Sequence, residues 1–418
     1  MVNIYFFFVR IAAFLGNKKA RQLVKGQSQT LTLLESDNQS AESESGRRTV
    51  WFHAASVGEF EQVRPIIERL RKEGSNLRLI LTFFSPSGYE MRKNYDKVDK
   101  VYYLPFATRS NARRFLDLVH PDMAVFAKYE FWPAYLKELR ERGIPTYSVS
   151  AIFRPGQLFF RPWGKSYLNL LRCFTHIYVQ DTVSFDLLIK HGIRSVSVAG
   201  DTRFDRVSEI ARQSKEISEA ASFVHGKVML GPKGEITDQR PVIVAGSTWP
   251  PDEALLAQYV KEREDVRLIL VPHEINNEHL KHIFQLFEGR YVRFTQATQQ
   301  NITTCRVLVV DTMGLLSSIY RYGTVAYIGG GFGVGIHNTL EAAVWGMPVL
   351  FGTNYHKFRE AKGLIAAGAA VSVSNYKELA AAMDQAIEDH EQMGKRATDY
   401  VQSECGATEK IYRELFTK

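Results

Sequence analysis

The chain has 418 residues, 45% of them hydrophobic, which is enough for two domains with a core each. Its 53 Lys and Arg against 45 Asp and Glu give a formal charge of +8, so an anionic partner is in scope: nucleic acid, phospholipid or a phosphorylated substrate. Cys173, Cys305 and Cys405 stand far apart with no Cys-x-x-Cys pair, which excludes a disulfide framework and a zinc site of that spacing and fits a reducing compartment.

Met1 to Leu15 is apolar except for Asn3 and Arg10. Lys18, Lys19, Arg21 and Lys25 follow, and no acid precedes Glu35. A membrane-spanning helix needs about 17–25 residues, so the stretch is short for a span. The basic residues follow the apolar run, and no small-residue cleavage site comes after it, which speaks against a secretory signal. We expect a retained anchor over residues 1–25, shallow or marginally spanning, its basic flank on the cytoplasmic leaflet. The alternative is a docked core helix. Residues 26–48 are polar and read as a linker or poorly ordered loop.

From Thr49 the pattern alternates strand and helix. Apolar, β-rich runs occur at Val50–Ala54, Leu77–Phe83, Val101–Leu104, Met123–Ala127, Thr146–Val149, His176–Val179 and Val196–Ala199, with helical periodicity between them. Strands buried on both faces read this way, so a parallel α/β sheet is expected over 49–207. Residues 208–240 are polar and contain the Gly231-Pro232-Lys233-Gly234 turn; we place an interdomain linker there. The rhythm restarts at Val242 and runs through a second domain, 241–390, with strands at Val242–Ala245, Leu268–Val271, Val292–Phe294, Val307–Val310, Val325–Ile328, Val349–Phe351 and Ala370–Val373. A C-terminal helix is expected over 391–418. Two doubly wound halves imply a cleft between them, with ligands outside the carboxyl ends of the strands.

Several turns at those ends carry chemistry. After the first strand comes His53-Ala54-Ala55-Ser56-Val57-Gly58-Glu59. Ser56 and Glu59 have the spacing of a helix capping box; equally, Glu59 is placed to accept a proton from an attacking hydroxyl if its surroundings raise its pKa. Glu130 follows a second buried strand, within Lys128-Tyr129-Glu130-Phe131-Trp132-Pro133. It is either a helix-start carboxylate or a second acid at the cleft. No Asp or Glu occurs between Arg142 and Gln180, where Arg154, Arg161, Lys165 and Arg172 interleave with Phe153, Phe159, Phe160, Trp163 and Tyr167. Such a segment suits a membrane interface, a phosphorylated lipid or nucleic acid, or else a packed helix with a basic outer side.

In the second half four turns converge on one sheet edge: Gly246-Ser247-Thr248-Trp249, Pro272-His273-Glu274, Asp311-Thr312-Met313-Gly314, and Gly329-Gly330-Gly331-Phe332-Gly333-Val334-Gly335 leading to Asn338 and Glu341. Glycines there let backbone approach a ligand, helix-start amides hold an anion, and Glu341 one turn on binds sugar hydroxyls. That order suggests a nucleotide-sugar site; the simpler alternative is a capping box with Asn338 as N-cap. No Asp-x-Asp pair follows a strand, no Walker lysine motif is present, and no Gly-x-Gly-x-x-Gly opens the first strand–helix unit. Metal-held nucleotide diphosphate and NAD are therefore not favoured.

At these residues the chain resembles the bacterial 3-deoxy-D-manno-octulosonic acid (Kdo) transferases of lipopolysaccharide synthesis. The matching segments are HAASVGEFEQVRP, KYEFWP, VSAIFRP, GDTRFDRV, GSTWPPDE, DTMGLL, YIGGGF and HNTLEAAVWGMPVLFG, in family order over residues 49–360. The resemblance implies a GT-B glycosyltransferase of two Rossmann-like domains with no metal or other cofactor, at the cytoplasmic face of the inner membrane. CMP-Kdo would be the donor, a tetraacylated, bisphosphorylated lipid A precursor the acceptor, and nucleic acid no partner. It makes Glu59 the general base and Glu130 a second essential carboxylate. It puts Pro272, His273, Met313, Gly314, Gly330, Gly331, Asn338 and Glu341 on the donor, with Ser247 and Thr248 beside them. Lys128, Arg154, Arg161 and Lys165 are candidate acceptor or membrane contacts, and Lys128 or Arg203 would meet the Kdo carboxylate. Many relatives carry an acid where Lys128 stands, His where Trp249 stands and Ser where Gly331 stands, and a basic residue common beside the Pro-His pair is missing between Pro272 and His273. Two other classes stay open: a soluble GT-B-like sugar-nucleotide epimerase, and a non-enzymatic basic membrane or nucleic-acid binder.

Overall fold

The computed structural model describes residues 2–40, 46–225, 227–229, 235–237 and 240–417; of residues 2–5, 40, 165, 225, 227–229 and 235–237 it describes the backbone only. The chain divides into two compact units, Met1–Arg206 with Cys405–Lys418, and Val207–Glu404.

The first unit holds a sheet of β1 Thr49–Ala54, β2 Arg78–Phe83, β3 Lys100–Tyr103, β4 Met123–Ala127, β5 Thr146–Ala151, β6 His176–Val179 and β7 Val196–Val198. Their order is β3-β2-β1-β4-β5-β6-β7, all parallel. The expected runs all became strands because each is apolar on both faces and helices cover both. Trp51 is buried among Phe115, Phe126 and Tyr135, and its Nε1 donates to Thr82 Oγ1 at 2.8 Å. Strand order reverses between β1 and β4, the place where such sheets bind ligands.

The second unit repeats the scheme. After a hairpin of β8 Lys227–Met229 and β9 Glu235–Thr237 come β10 Val242–Thr248, β11 Arg267–Pro272, β12 Tyr291–Arg293, β13 Val307–Val309, β14 Val325–Ile328, β15 Val349–Gly352 and β16 Ala370–Val373. Their parallel order is β12-β13-β11-β10-β14-β15-β16, with the switch between β10 and β14.

The N-terminus differs from expectation. A 13-residue helix, Val2–Phe14, is followed by a second helix, Lys18–Ser40. Among the described residues no helix is long and apolar enough to cross a membrane. The stretch read as a linker is therefore largely helix. Leu23, Gln27, Thr30 and Leu34 form its buried stripe, at helical spacing. Thr30 Oγ1 donates to Tyr103 O at 3.0 Å, and Asp37 accepts from Lys100 and from the Tyr102 hydroxyl. Two polar residues in the stripe hid its period. Phe6 of the first helix packs edge-on against Phe106.

Residues 208–225 are not a linker either. They fall in helices Thr202–Gln213 and Ser218–His225, and the unit boundary falls at Arg206. The Gly231–Gly234 turn lies outside the described residues. Ala220 and Phe223 are buried, and the guanidinium of Arg267 lies 3.8 Å above the Phe223 ring. The C-terminal segment is two helices, His390–Ser403 and Ala407–Phe416, divided between the units. The break comes at Gly406, with φ of 108°, where Asp205 accepts from the amides of Gly406 and Thr408 at 2.6 and 2.7 Å.

Buried Arg267 donates to the carbonyls of Phe223, Ile302 and Cys305. Arg267→Ala leaves three acceptors without their cation and should destabilise the second unit by about 3–5 kcal/mol, seen as a lower urea midpoint.

Candidate functional site

In the first unit the site grows from the adjacent ends of β1 and β4. Ser56 caps the helix Val57–Lys72, its Oγ accepting from the Glu59 amide at 3.4 Å, and donates in turn to Glu59 Oε2 at 2.7 Å. The cap and the candidate base are thus one device. Glu59 is half-buried, and its carboxyl is raised above the ordinary 4.5, first by burial and then by the charge of Glu130. The Ser56 hydroxyl, Lys128 and His53 act in the opposite sense.

Glu130 is buried, and its Oε2 meets His53 Nε2 at 3.1 Å. Trp132 Nε1 donates to the same oxygen at 2.6 Å. His53 Nδ1 faces the Thr82 carbonyl at 3.1 Å and the Thr82 hydroxyl at 2.8 Å. His53, Thr82 and Trp132 therefore hold Glu130 in place. His53 and Trp132 stand within the two motifs and Thr82 in β2, but nothing in the spacing marked them as partners.

Lys128 follows β4 with φ of 49°, a conformation that costs a non-glycine residue about 1–2 kcal/mol. Ser150, the penultimate residue of β5 (φ 51°), and Ser247, the penultimate residue of β10 (φ 54°), share it, so strain collects at carboxyl ends of strands. The Lys128 ammonium lies 5.3 Å from the Tyr129 ring. Buried Asp201 is pulled below its ordinary value despite burial, by Arg203 and then Lys128. Arg203 Nε and Nη2 donate to Asp201 Oδ2 at 3.0 and 2.7 Å, and Nε also reaches Oδ1 at 3.3 Å.

The basic-aromatic segment is sorted differently from a flat interface. Phe153, Phe159 and Phe160 pack with one another and on Phe131, and of this segment Trp163 stays 70% exposed. Arg161 contacts Trp163 and Gly156 O rather than the carboxylates, and Arg154 is exposed, its amide bonded to Gln157. The Lys165 side chain lies outside the described residues.

In the second unit the turns after β10, β11 and β14 meet. Gly329 N donates to Gly246 O and His273 N to Thr248 O, tying the ends of the three strands. Trp249 stacks on His273 at 4.9 Å, and His273 lies 4.3 Å from His337. Burial lowers the pKa of His273, and lowers that of His337 to about 4, with His273 adding to it. Asp252, which sequence reasoning passed over, accepts from Trp249 N, Gly330 N and Tyr327 Oη at 2.8–2.9 Å. Gly330 has φ of 89°, and a Cβ on Gly331 would come within 2.4 Å of Gly352 N. These positions require glycine. Thr248 is buried, its hydroxyl donating to Glu253, which also meets His279.

A second cluster joins the remaining residues. Ser317, just beyond exposed Met313 and Gly314 (φ 86°), donates to Glu341 Oε2 at 2.6 Å, and Asn338 Nδ2 donates to Oε1 at 3.0 Å. The capping box expected here does not form. The helix is only Leu340–Ala343, Thr339 is its N-cap, and Asn338 Oδ1 accepts from Leu340 N. The helix-start amide is engaged within the chain, so an anion must rely on the loop itself.

The family model described as 3-Deoxy-D-manno-octulosonic-acid transferase (kdotransferase) matches residues 27–206. A 3-deoxy-D-manno-octulosonic acid transferase of Aquifex aeolicus is 29% identical over 79% of this chain and 83% of its own length. One from Rickettsia felis is 26% identical over 88% and 80%. Over residues 27–206 by the family model, and over most of the chain by these relatives, the protein is similar to the Kdo transferases, a family of glycosyltransferases. Its fold is GT-B: the UDP-GlcNAc 2-epimerase of Neisseria meningitidis matches with a TM-score of 0.61 at 16% identity, over 88% of this chain and 100% of that one. MurG of Acinetobacter baumannii matches at 0.55 and 13%, over 89% and 100%. At such identities they speak for the fold alone.

The Glu59 environment has a direct test. Carboxyl NMR titration should place Glu59 above 4.5. Ser56→Ala removes a donor to the charged form and should raise the midpoint further; Glu130→Gln removes a like charge and should lower it.

Proposed function

We propose that the chain transfers Kdo from CMP-Kdo to a hydroxyl of a lipid A precursor, with inversion at the anomeric carbon. The observation that carries this reading is Glu59, half-buried at the carboxyl end of β1, its proton affinity raised by burial and by Glu130. A carboxylate of that kind is a general base. The acceptor hydroxyl gives its proton to Glu59 as its oxygen bonds to the anomeric carbon. The bond from that carbon to the cytidylate phosphate breaks, and the electron pair leaves with CMP.

The second unit supplies the donor site in this reading. Ser247, His273 and the loop at Gly330 and Gly331 face the cytidylate, while Asn338 and Glu341 meet sugar or ribose hydroxyls. The reading assigns the leaving phosphate to these polar groups and needs no metal or other cofactor. Arg203 is committed to Asp201, so Lys128, whose charge reaches Glu59, is the cation assigned to the Kdo carboxylate.

The N-terminal helix supports a bilayer location at the cytoplasmic face of the inner membrane. Phe7, Phe8 and Phe14 are 61–86% exposed on a helix about 20 Å long, and Leu15 just beyond it is exposed too, against a hydrocarbon core of roughly 30 Å. Such a helix lies in the interface, with Lys18, Lys19 and Arg21 toward anionic headgroups.

Two outcomes are expected. Glu59→Ala should still bind CMP but lose Kdo transfer to a lipid A precursor by about 10²–10⁴-fold, read by mass of the lipid product; full activity would overturn the assignment. Asp252→Ala, which frees the Gly330 and Trp249 amides, should weaken CMP binding about tenfold or more by calorimetry.

A further inference from the structure

A cavity of about 840 Å³ opens in the first unit between the helices Pro133–Glu141 and Lys165–Leu171. It lies within the size range of small-molecule sites, roughly 300–1,000 Å³. Its apolar wall is Ala107, Phe131, Ala134, Tyr167 and Leu170. Phe131 belongs to the packed phenylalanine cluster, so that wall is rigid.

The carboxylates at its rim are already neutralised. Glu138 is held by Arg113 and Arg142, and Glu141 by Arg109. Lys137, also lining the cavity, is exposed and has no carboxylate partner among the described residues. An occupant with an apolar body and an anionic end matches this arrangement.

Two continuities say what that occupant is. Phe131 directly follows Glu130, so the cavity adjoins the turn that carries the second acid. Ala107 follows Phe106, the seat of Phe6 and of the Arg10 guanidinium at 5.2 Å, so the cavity also adjoins the base of the exposed N-terminal helix. We propose that the cavity receives one acyl chain of the glycolipid acceptor, with Lys137 at its mouth facing the anionic headgroup. This rests on the reading of Glu59 as base toward a lipid hydroxyl, and it adds how that lipid is selected. An apolar chain in a preformed groove gains roughly fourfold in affinity per buried methylene.

The test uses the full chain in vesicles that carry an alkyl phosphate with a diazirine at its chain end. Photolabel on peptides spanning 131–141 and 166–170, lost in Ala134→Trp, is the expected result. Labelling confined to residues 2–15 would overturn the proposal. In parallel, the ratio of kcat/KM for an acylated over a deacylated acceptor should fall at least tenfold in Ala134→Trp, the loss lying in KM. An unchanged ratio would overturn it. Photolabel in the cavity with no Kdo transfer by the unmodified chain would sink the proposed function while leaving the cavity assignment standing; transfer with no acyl discrimination would do the reverse.

Discussion

Two carboxylates at one sheet edge set the character of the first unit. Glu59 and Glu130 follow neighbouring parallel strands, and the charge of Glu130 raises the cost of charge on Glu59 where water is partly excluded. The surroundings serve that pair. His53 and Trp132 fix Glu130, and Ser56 orients Glu59 and tempers its proton affinity. Lys128 adds a cation on a strained backbone. A proton acceptor thus arises from position more than from residue type.

The second unit is governed by close backbone approach. The loop after β14 runs against β15, and Asp252 binds its Gly330 amide together with the amide that opens the helix after β10. One buried carboxylate therefore couples two turns that each face the ligand side of the sheet. Trp249 stacks on His273, and Gly331 sits where any side chain would strike Gly352.

Most of the architecture was legible. Parallel strands buried on both faces announce themselves as short β-branched runs, and all fourteen strands of the two main sheets were marked. The failures share a cause. The helix Lys18–Ser40 buries Gln27 and Thr30 in its stripe, and the helix Ser218–His225 buries, among its described side chains, Ala220 and Phe223, so neither shows a clean apolar period. Glu341 had capping-box spacing, yet its carboxylate is taken by Ser317 from the short helix Leu316–Ile319, remote in sequence.

The sequence by itself determined the fold class and the likeness to the Kdo transferases, and set Glu59 and Glu130 after buried strands, because strand periodicity and ordered motifs are local properties of the chain. Tertiary structure alone decided that His53 and Trp132 clasp Glu130, that Asp252 governs the glycine loop, that the final helix returns to the first unit, and that a cavity lies beside the acid turn. Each of these depends on groups remote in sequence meeting in a medium of low dielectric, where pairing and burial fix charge, orientation and shape.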